Sequence, residues 1–175
     1  MLHLMIDLET LSTDPRAAIL SIGAVLFTEQ EISAPFYTAL SIDDQLRRYN
    51  RRVQGSTLEW WMTQPADAKA VFQEPVRMSL ELALSSLAQF VPQQDVLVWS
   101  NGASFDIPIL NSAFNDVNVA APWKFYNERC YRTMKNLYPD VPYARAEGSV
   151  AHNALHDARD QARHLQLIWA AHNKK

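Results

Sequence analysis

Hydrophobic and polar positions change rhythm along the chain, and each rhythm predicts an element. From Leu2 to Glu9 they alternate, with Leu2, Leu4, Ile6 and Leu8 on one face and His3, Met5, Asp7 and Glu9 on the other. That is the period of a strand. Ile19 to Phe27 is apolar almost throughout and predicts a central strand, and Phe36 to Ile42 reads as a third. Short links between the three predict an antiparallel meander. The rhythm then becomes helical. Ser56 and Glu59 have capping-box spacing ahead of Trp60, Trp61 and Met62. Ser79 is a candidate N-cap for a stripe of Leu80, Ala83, Leu84, Leu87 and Val91 that stops at Pro92. Val96 to Trp99 predicts a short strand. A helix follows with Pro108 in its first turn and Ile109, Ala113 and Val117 on one side. Trp123 to Tyr126 is a candidate last strand, Arg129 to Tyr138 a short helix, Pro139 to Ala151 a loop, and Ala154 to Ala171 the final helix, with Ala158, Ala162, Leu165 and Trp169 inward. Strands first, then alternating helix and strand, give an α/β fold with helices packed on a mixed sheet.

Composition narrows the picture. A chain of 175 residues, 48% hydrophobic and 20% charged, fits one globular domain over residues 1–175. Its longest uncharged apolar run, Ala17 to Thr28, is far shorter than the roughly 20 residues of a membrane span, and Met1 to Glu9 lacks the basic region of a secretion signal. Cys130, the only cysteine, excludes an internal disulfide and a two-thiolate zinc site, and a cytoplasmic setting is the simple inference. Gly23, Gly55, Gly102 and Gly148 are too scattered for a phosphate-cradling loop. A net charge of −3 argues against nucleic acid as a partner unless carboxylates hold metal.

Asp7 and Glu9, two apart in a strand, point to one face. Asp106 stands at the mouth of a helix, where its ordinary role would be to cap it. Asp157 lies in the first turn of the last helix, where it would complement the dipole. His152 precedes it by five residues, in a loop. Each acid sits at or near an element end, where side chains from separate segments can converge. Four carboxylates with no nearby lysine suit hard cations such as Mg²⁺ or Mn²⁺. A pair of such ions clamps a phosphate undergoing in-line displacement, and it would supply what the missing glycines do not. Histidine changes charge near neutral pH, which makes His152 the natural base for an attacking water.

Three segments then carry a family resemblance. Asp7-Leu8-Glu9-Thr10, Asn101-Gly102-Ala103-Ser104-Phe105-Asp106 and His152-Asn153-Ala154-Leu155-His156-Asp157-Ala158 resemble, in order, the three motifs of the DEDDh class of 3′-5′ exonucleases. The resemblance implies a ribonuclease H-like fold: a mixed five-stranded sheet, three antiparallel strands and then parallel additions, flanked by helices. It implies Asp7, Glu9, Asp106 and Asp157 as ligands of two divalent cations (Mg²⁺ or Mn²⁺), with His152 as the base. It also implies Thr10 and Leu11 against the terminal nucleotide, and Asn101 and Phe105 behind the second motif. Ser100 departs from the histidine that many members carry before the asparagine. Trp60-Trp61 followed by Gln64 is similar to small phage and bacterial exoribonuclease-like proteins. That likeness implies single-stranded 3′ ends as partner, RNA favoured and DNA possible, with Trp61 or Trp60 stacking on a base. Ribonuclease T-like relatives pair, which makes a homodimer an expectation, with Arg47, Arg48, Arg51 and Arg52 guiding the strand.

Other readings are weaker. His152 and His156 have the spacing of zinc ligands on a helix, but Asn153 stands where a metalloprotease carries glutamate. His156, His164 and His172 read as surface or helix-face residues. No Gly-x-Ser-x-Gly elbow is present. A ribonuclease H-type endonuclease would gather similar acids, though the His-x-x-x-x-Asp ending favours the exonuclease. A catalytically silent nucleic-acid-binding module would have lost catalytic positions, and here all five are filled.

Overall fold

The computed structural model describes residues 1–92, 95–102 and 104–173. Ala103 of the second motif lies outside the described residues. The strands are β1 (His3–Thr10), β2 (Ile19–Phe27), β3 (Ile32–Ala39), β4 (Leu97–Ser100) and β5 (Glu128–Cys130). They form a five-stranded sheet in the order β3-β2-β1-β4-β5. The pairs β1–β2 and β2–β3 are antiparallel, whereas β4 and β5 add in parallel. The expected meander and mixed sheet are both present.

The alternation in β1 sorts side chains to two covered faces. Leu4, Ile6 and Leu8 enter the larger core beneath α3 (Leu80–Phe90) and α4 (Asp106–Asp116), against Leu84, Leu87, Ile109 and Phe114. Met5 faces the other way, with Val25, Phe27 and Trp99, under Ala158, Ala162 and Leu165 of α6 (Ala154–His172). Burying one such leucine contributes about 1.5–3 kcal/mol. The series His3, Met5, Asp7, Glu9 therefore faces a helix, and its acids are enclosed. In the register, Gly23 of β2 stands opposite Asp7. A Cβ on Gly23 would lie 2.1 Å from the carbonyl carbon of Ala154. Only a residue without a side chain lets the start of α6 settle there.

Several boundaries differ from the expectation. The third strand is Ile32–Ala39, because the Ser41 hydroxyl accepts from the N–H of Asp44 and makes Ile42 the start of α1 (Ile42–Tyr49). Helix α2 (Gly55–Thr63) begins after Gln54 without a side-chain cap, so Ser56 and Glu59 do not form a capping box. Ser79 does cap α3, accepting from Leu82 N–H. The last strand is Glu128–Cys130. Phe125–Asn127 is a 3₁₀ turn, while Trp123 packs edge-on against Phe114. Helix α5 (Tyr131–Leu137) follows directly.

The arginine cluster is paired within the chain. Buried Arg51, just beyond α1, binds Asp116 and the carbonyls of Ala17, Pro15 and Ile109, fastening that segment to α4. Arg47 pairs with Asp43, Arg48 with Asp44 and Arg52 with Asp14. His164 is a helix-face residue of α6 and not a surface one: it is buried, its Nε2 donates to the Val141 carbonyl, and its Nδ1 accepts from the Tyr131 hydroxyl. No helix among the described residues is long and apolar enough to cross a membrane.

Candidate active site

Strand β4 pairs with β1 only as far as Met5. Beyond that point β1 runs on alone on this side, and its backbone donors need other partners. The Asp106 carboxylate takes one, accepting from Leu8 N–H at 3.1 Å. Asp106 is the first residue of α4, after the N-cap Phe105, so its carboxylate ties α4 to β1 rather than capping the helix. Asp157 arrives from the other face, in the first turn of α6, and its Oδ2 accepts from His152 N–H at 2.9 Å. Three elements thus bring Asp7, Glu9, Asp106 and Asp157 to one cleft of about 650 Å³.

Crowding sets the electrostatics. Burial, reinforced by Asp106, Glu9 and Asp157, holds the Asp7 carboxyl well above the usual carboxylate range. Glu9 is pushed from 4.5 to about 8, first by burial, then by Asp157 and Asp106. Burial also raises Asp106 to about 7, opposed by the backbone N–H of Leu8. Clustered acids that resist ionisation fit divalent cations, because a cation reverses the repulsion that raises them. One ligand atom each from Glu9, His152 and Asp157 lies within 4.8 Å of the other two. The carboxylate oxygens of the cleft are donors suited to Mg²⁺ or Mn²⁺, and the imidazole lies within reach of them.

His152 is half-buried and adopts a left-handed backbone with φ of 60°. Its ring meets Trp60 edge-on, with centroids 4.9 Å apart. Of the tryptophan pair, Trp61 is 2% exposed and donates its indole N–H to the Thr10 carbonyl, while Trp60 is 42% exposed. Both border the cleft, as do Thr10, Asn101 and Phe105. Leu11 does not. It packs behind the wall, in a small cluster with Trp61 and Val71.

Sequence reasoning missed the basic and amide groups. The acids do not converge free of cationic neighbours. Arg145 pairs with Asp157, and Arg132 and Lys135 also line the cleft. Arg145 reaches the cleft because buried Asp160 accepts from Ala146 N–H and the Ser149 hydroxyl, pinning the loop. Gln161 donates to Asp7 Oδ1 at 2.8 Å. It stands one helical turn after Asp157, a signal that was available. His156 turns from the cleft and accepts from Val150 N–H through Nδ1.

Comparison with known proteins gives this arrangement its family. The 3′-5′ exoribonuclease Rv2179c-like domain matches residues 2–169. The chain belongs to that family. An exodeoxyribonuclease of Enterobacteria phage T4 is 25% identical over 90% of this chain and 84% of its own length. Among solved structures, the nuclease domain of 3′hExo, a DEDDh family member bound to rAMP, has a TM-score of 0.64 at 12% identity, covering 97% of this chain and 92% of that one. Escherichia coli exonuclease I in complex with a dT13 oligonucleotide has a TM-score of 0.69 at 13% identity, covering 99% of this chain but 42% of that one. The fold is thus the ribonuclease H-like fold of DEDDh exonucleases. This Rv2179c-like protein is a nuclease, a phosphodiester hydrolase of the 3′-5′ exonuclease type.

Proposed function

We propose that one domain over residues 1–175 removes nucleoside 5′-monophosphates from single-stranded 3′ ends, RNA in preference to DNA, in a cytoplasmic setting. The observation that carries this reading is the convergence of Asp7, Glu9, Asp106 and Asp157 beside His152. The four carboxylates hold two divalent cations, Mg²⁺ or Mn²⁺, and His152 is the general base. When bound, the cations stabilise the charge that develops on the attacking and leaving oxygens of the phosphate.

The chain's own residues do the rest. The hydrogen bond from His152 N–H to Asp157 fixes the loop, and Trp60 holds the ring edge-on. The imidazole is thereby poised to take the proton of a water attacking the terminal phosphate. Thr10 and Asn101 border the space for the last nucleotide, while Phe105 and Trp60 supply faces on which bases stack, worth about 1–3 kcal/mol each. Leu11 supports this surface from behind. A cleft of about 650 Å³ is in the range of small-ligand sites and suits a strand end better than a duplex. The homodimer expected from ribonuclease T-like relatives belongs to the same reading, and a solution mass near 19.9 kDa by light scattering would remove it.

The relatives' names divide between exoribonuclease and exodeoxyribonuclease. The match over residues 2–169 supports RNA. The test is a set of 3′-directed assays on end-labelled RNA and DNA of matched sequence, single-stranded and blunt, with Mg²⁺ and with chelator. We expect single-stranded RNA to be trimmed fastest and chelator to stop trimming. Binding without trimming in Mg²⁺ and Mn²⁺ would instead indicate the silent module.

A further inference from the structure

Gln161 has one end explained and the other not. It is 4% exposed, lies on α6 one turn beyond Asp157, and borders the cleft. Its Nε2 donates to Asp7 Oδ1 at 2.8 Å. Its Oε1 is buried and has no hydrogen-bond partner among the described residues. A buried amide oxygen is seldom left without a donor. The acceptor is also tied to a particular carboxylate: one oxygen of Asp7 is occupied by the amide, which leaves the other for a cation. A carboxylate ligand held by a neighbouring hydrogen bond gains in orientation, and loss of such a partner typically weakens metal binding 10–100-fold.

We propose that Gln161 is a positioning residue of the cation site. Its Nε2 orients the Asp7 carboxylate, and its Oε1 accepts a hydrogen bond from a water on the cation that Asp7 holds. The same amide therefore touches the site twice, with opposite polarity. Glutamate has the length but cannot donate when ionised, and it would add a like charge beside Asp7. Methionine has the length and neither function. Asparagine is one methylene too short to span from α6 to β1 with both ends engaged. The role also explains why a polar residue occupies an inward position of α6, between Asp157 and Leu165 along the face that packs on the sheet.

This inference rests on the cation reading above, so the experiment separates the two. Mn²⁺ affinity is measured by paramagnetic resonance and calorimetry for wild type, Q161M, Q161E and D7N, alongside melting in chelator. We expect Q161M to bind Mn²⁺ 10–100-fold more weakly while melting near wild type. Q161E should melt lower in chelator and recover with Mn²⁺. A merely structural Gln161 would shift melting and leave Mn²⁺ affinity alone. Mn²⁺ affinity within twofold of wild type in Q161M, with D7N impaired, would overturn the role of Gln161 only. Unimpaired binding by D7N would overturn the cation site itself. Unchanged Mn²⁺ affinity in Q161M together with a collapsed preference between RNA and DNA would also overturn the proposal, by assigning Oε1 to a ribose hydroxyl.

Discussion

His152 shows how much chemistry one backbone angle can place. Its left-handed φ turns the chain so that the N–H meets Asp157 while the ring meets Trp60. Replacing it with alanine removes the proposed base and leaves the fold-bearing contacts elsewhere. H152A should lose about 10²–10⁴-fold in kcat. H156A should lose far less, since His156 only accepts from Val150 N–H. Equal losses in the two variants would move the base to His156. The acids and His152 were legible because strand period and motif spacing are local properties. Arg145 lies in a loop with no period to mark it, its partner 12 residues away, and Gln161 was marked only by its helical spacing from Asp157, its partner Asp7 being 154 residues away.

Elements were legible where side chains decide them and illegible where pairing does. Helix α3 announced itself through Ser79 and its stripe, and β2 through nine buried positions. Strand β5, three residues long, exists because β4 offers an edge, and nothing in Glu128–Cys130 distinguishes it beforehand. The neighbouring Phe125 and Tyr126, which drew the expectation, are exposed. The packing of α6 on β2 supplies a test at this scale. G23A places a methyl group 2.1 Å from the Ala154 backbone and 2.2 Å from Leu155 N. It should cost about 3 kcal/mol and lower activity by displacing Asp157. G55A has open space around it and lies in α2, so it should be neutral or stabilising by up to about 1 kcal/mol. Chemical denaturation of both variants checks the contrast. Equal stability of G23A and wild type would show that α6 does not need this approach.

For the whole molecule, the cleft makes stability depend on pH in an unusual direction. Glu9 and Asp106 titrate at about 8 and about 7 in the fold, against 4.5 and 3.8 ordinarily. Asp7 is raised as well. The folded chain therefore holds these protons longer than the unfolded one. Their contribution is fully present below the ordinary carboxylate values and is lost as pH rises toward 8. His3 works oppositely. Burial, then the N-terminal amine and Arg129, lower it from 6.5 to about 4, so its contribution is present above 6.5 and lost as pH falls toward 4. The three acids outnumber it. In chelator, melting temperature should fall between pH 5 and pH 8, and millimolar Mg²⁺ should abolish that fall. A chelated protein more stable at pH 8 than at pH 5 would contradict the enclosure of the acids.

The bond from Gln161 to Asp7 joins residues 154 positions apart, and Asp106 reaches Leu8 across 98. The cleft is therefore completed by α6, which follows every other described element in the chain. A nascent chain that has emerged only through α5 already carries Asp7, Glu9 and Asp106, yet it lacks His152 and Asp157. Such a fragment has three of the four acids and cannot assemble the cleft. During synthesis the cleft therefore takes shape only after residue 161 has joined the chain.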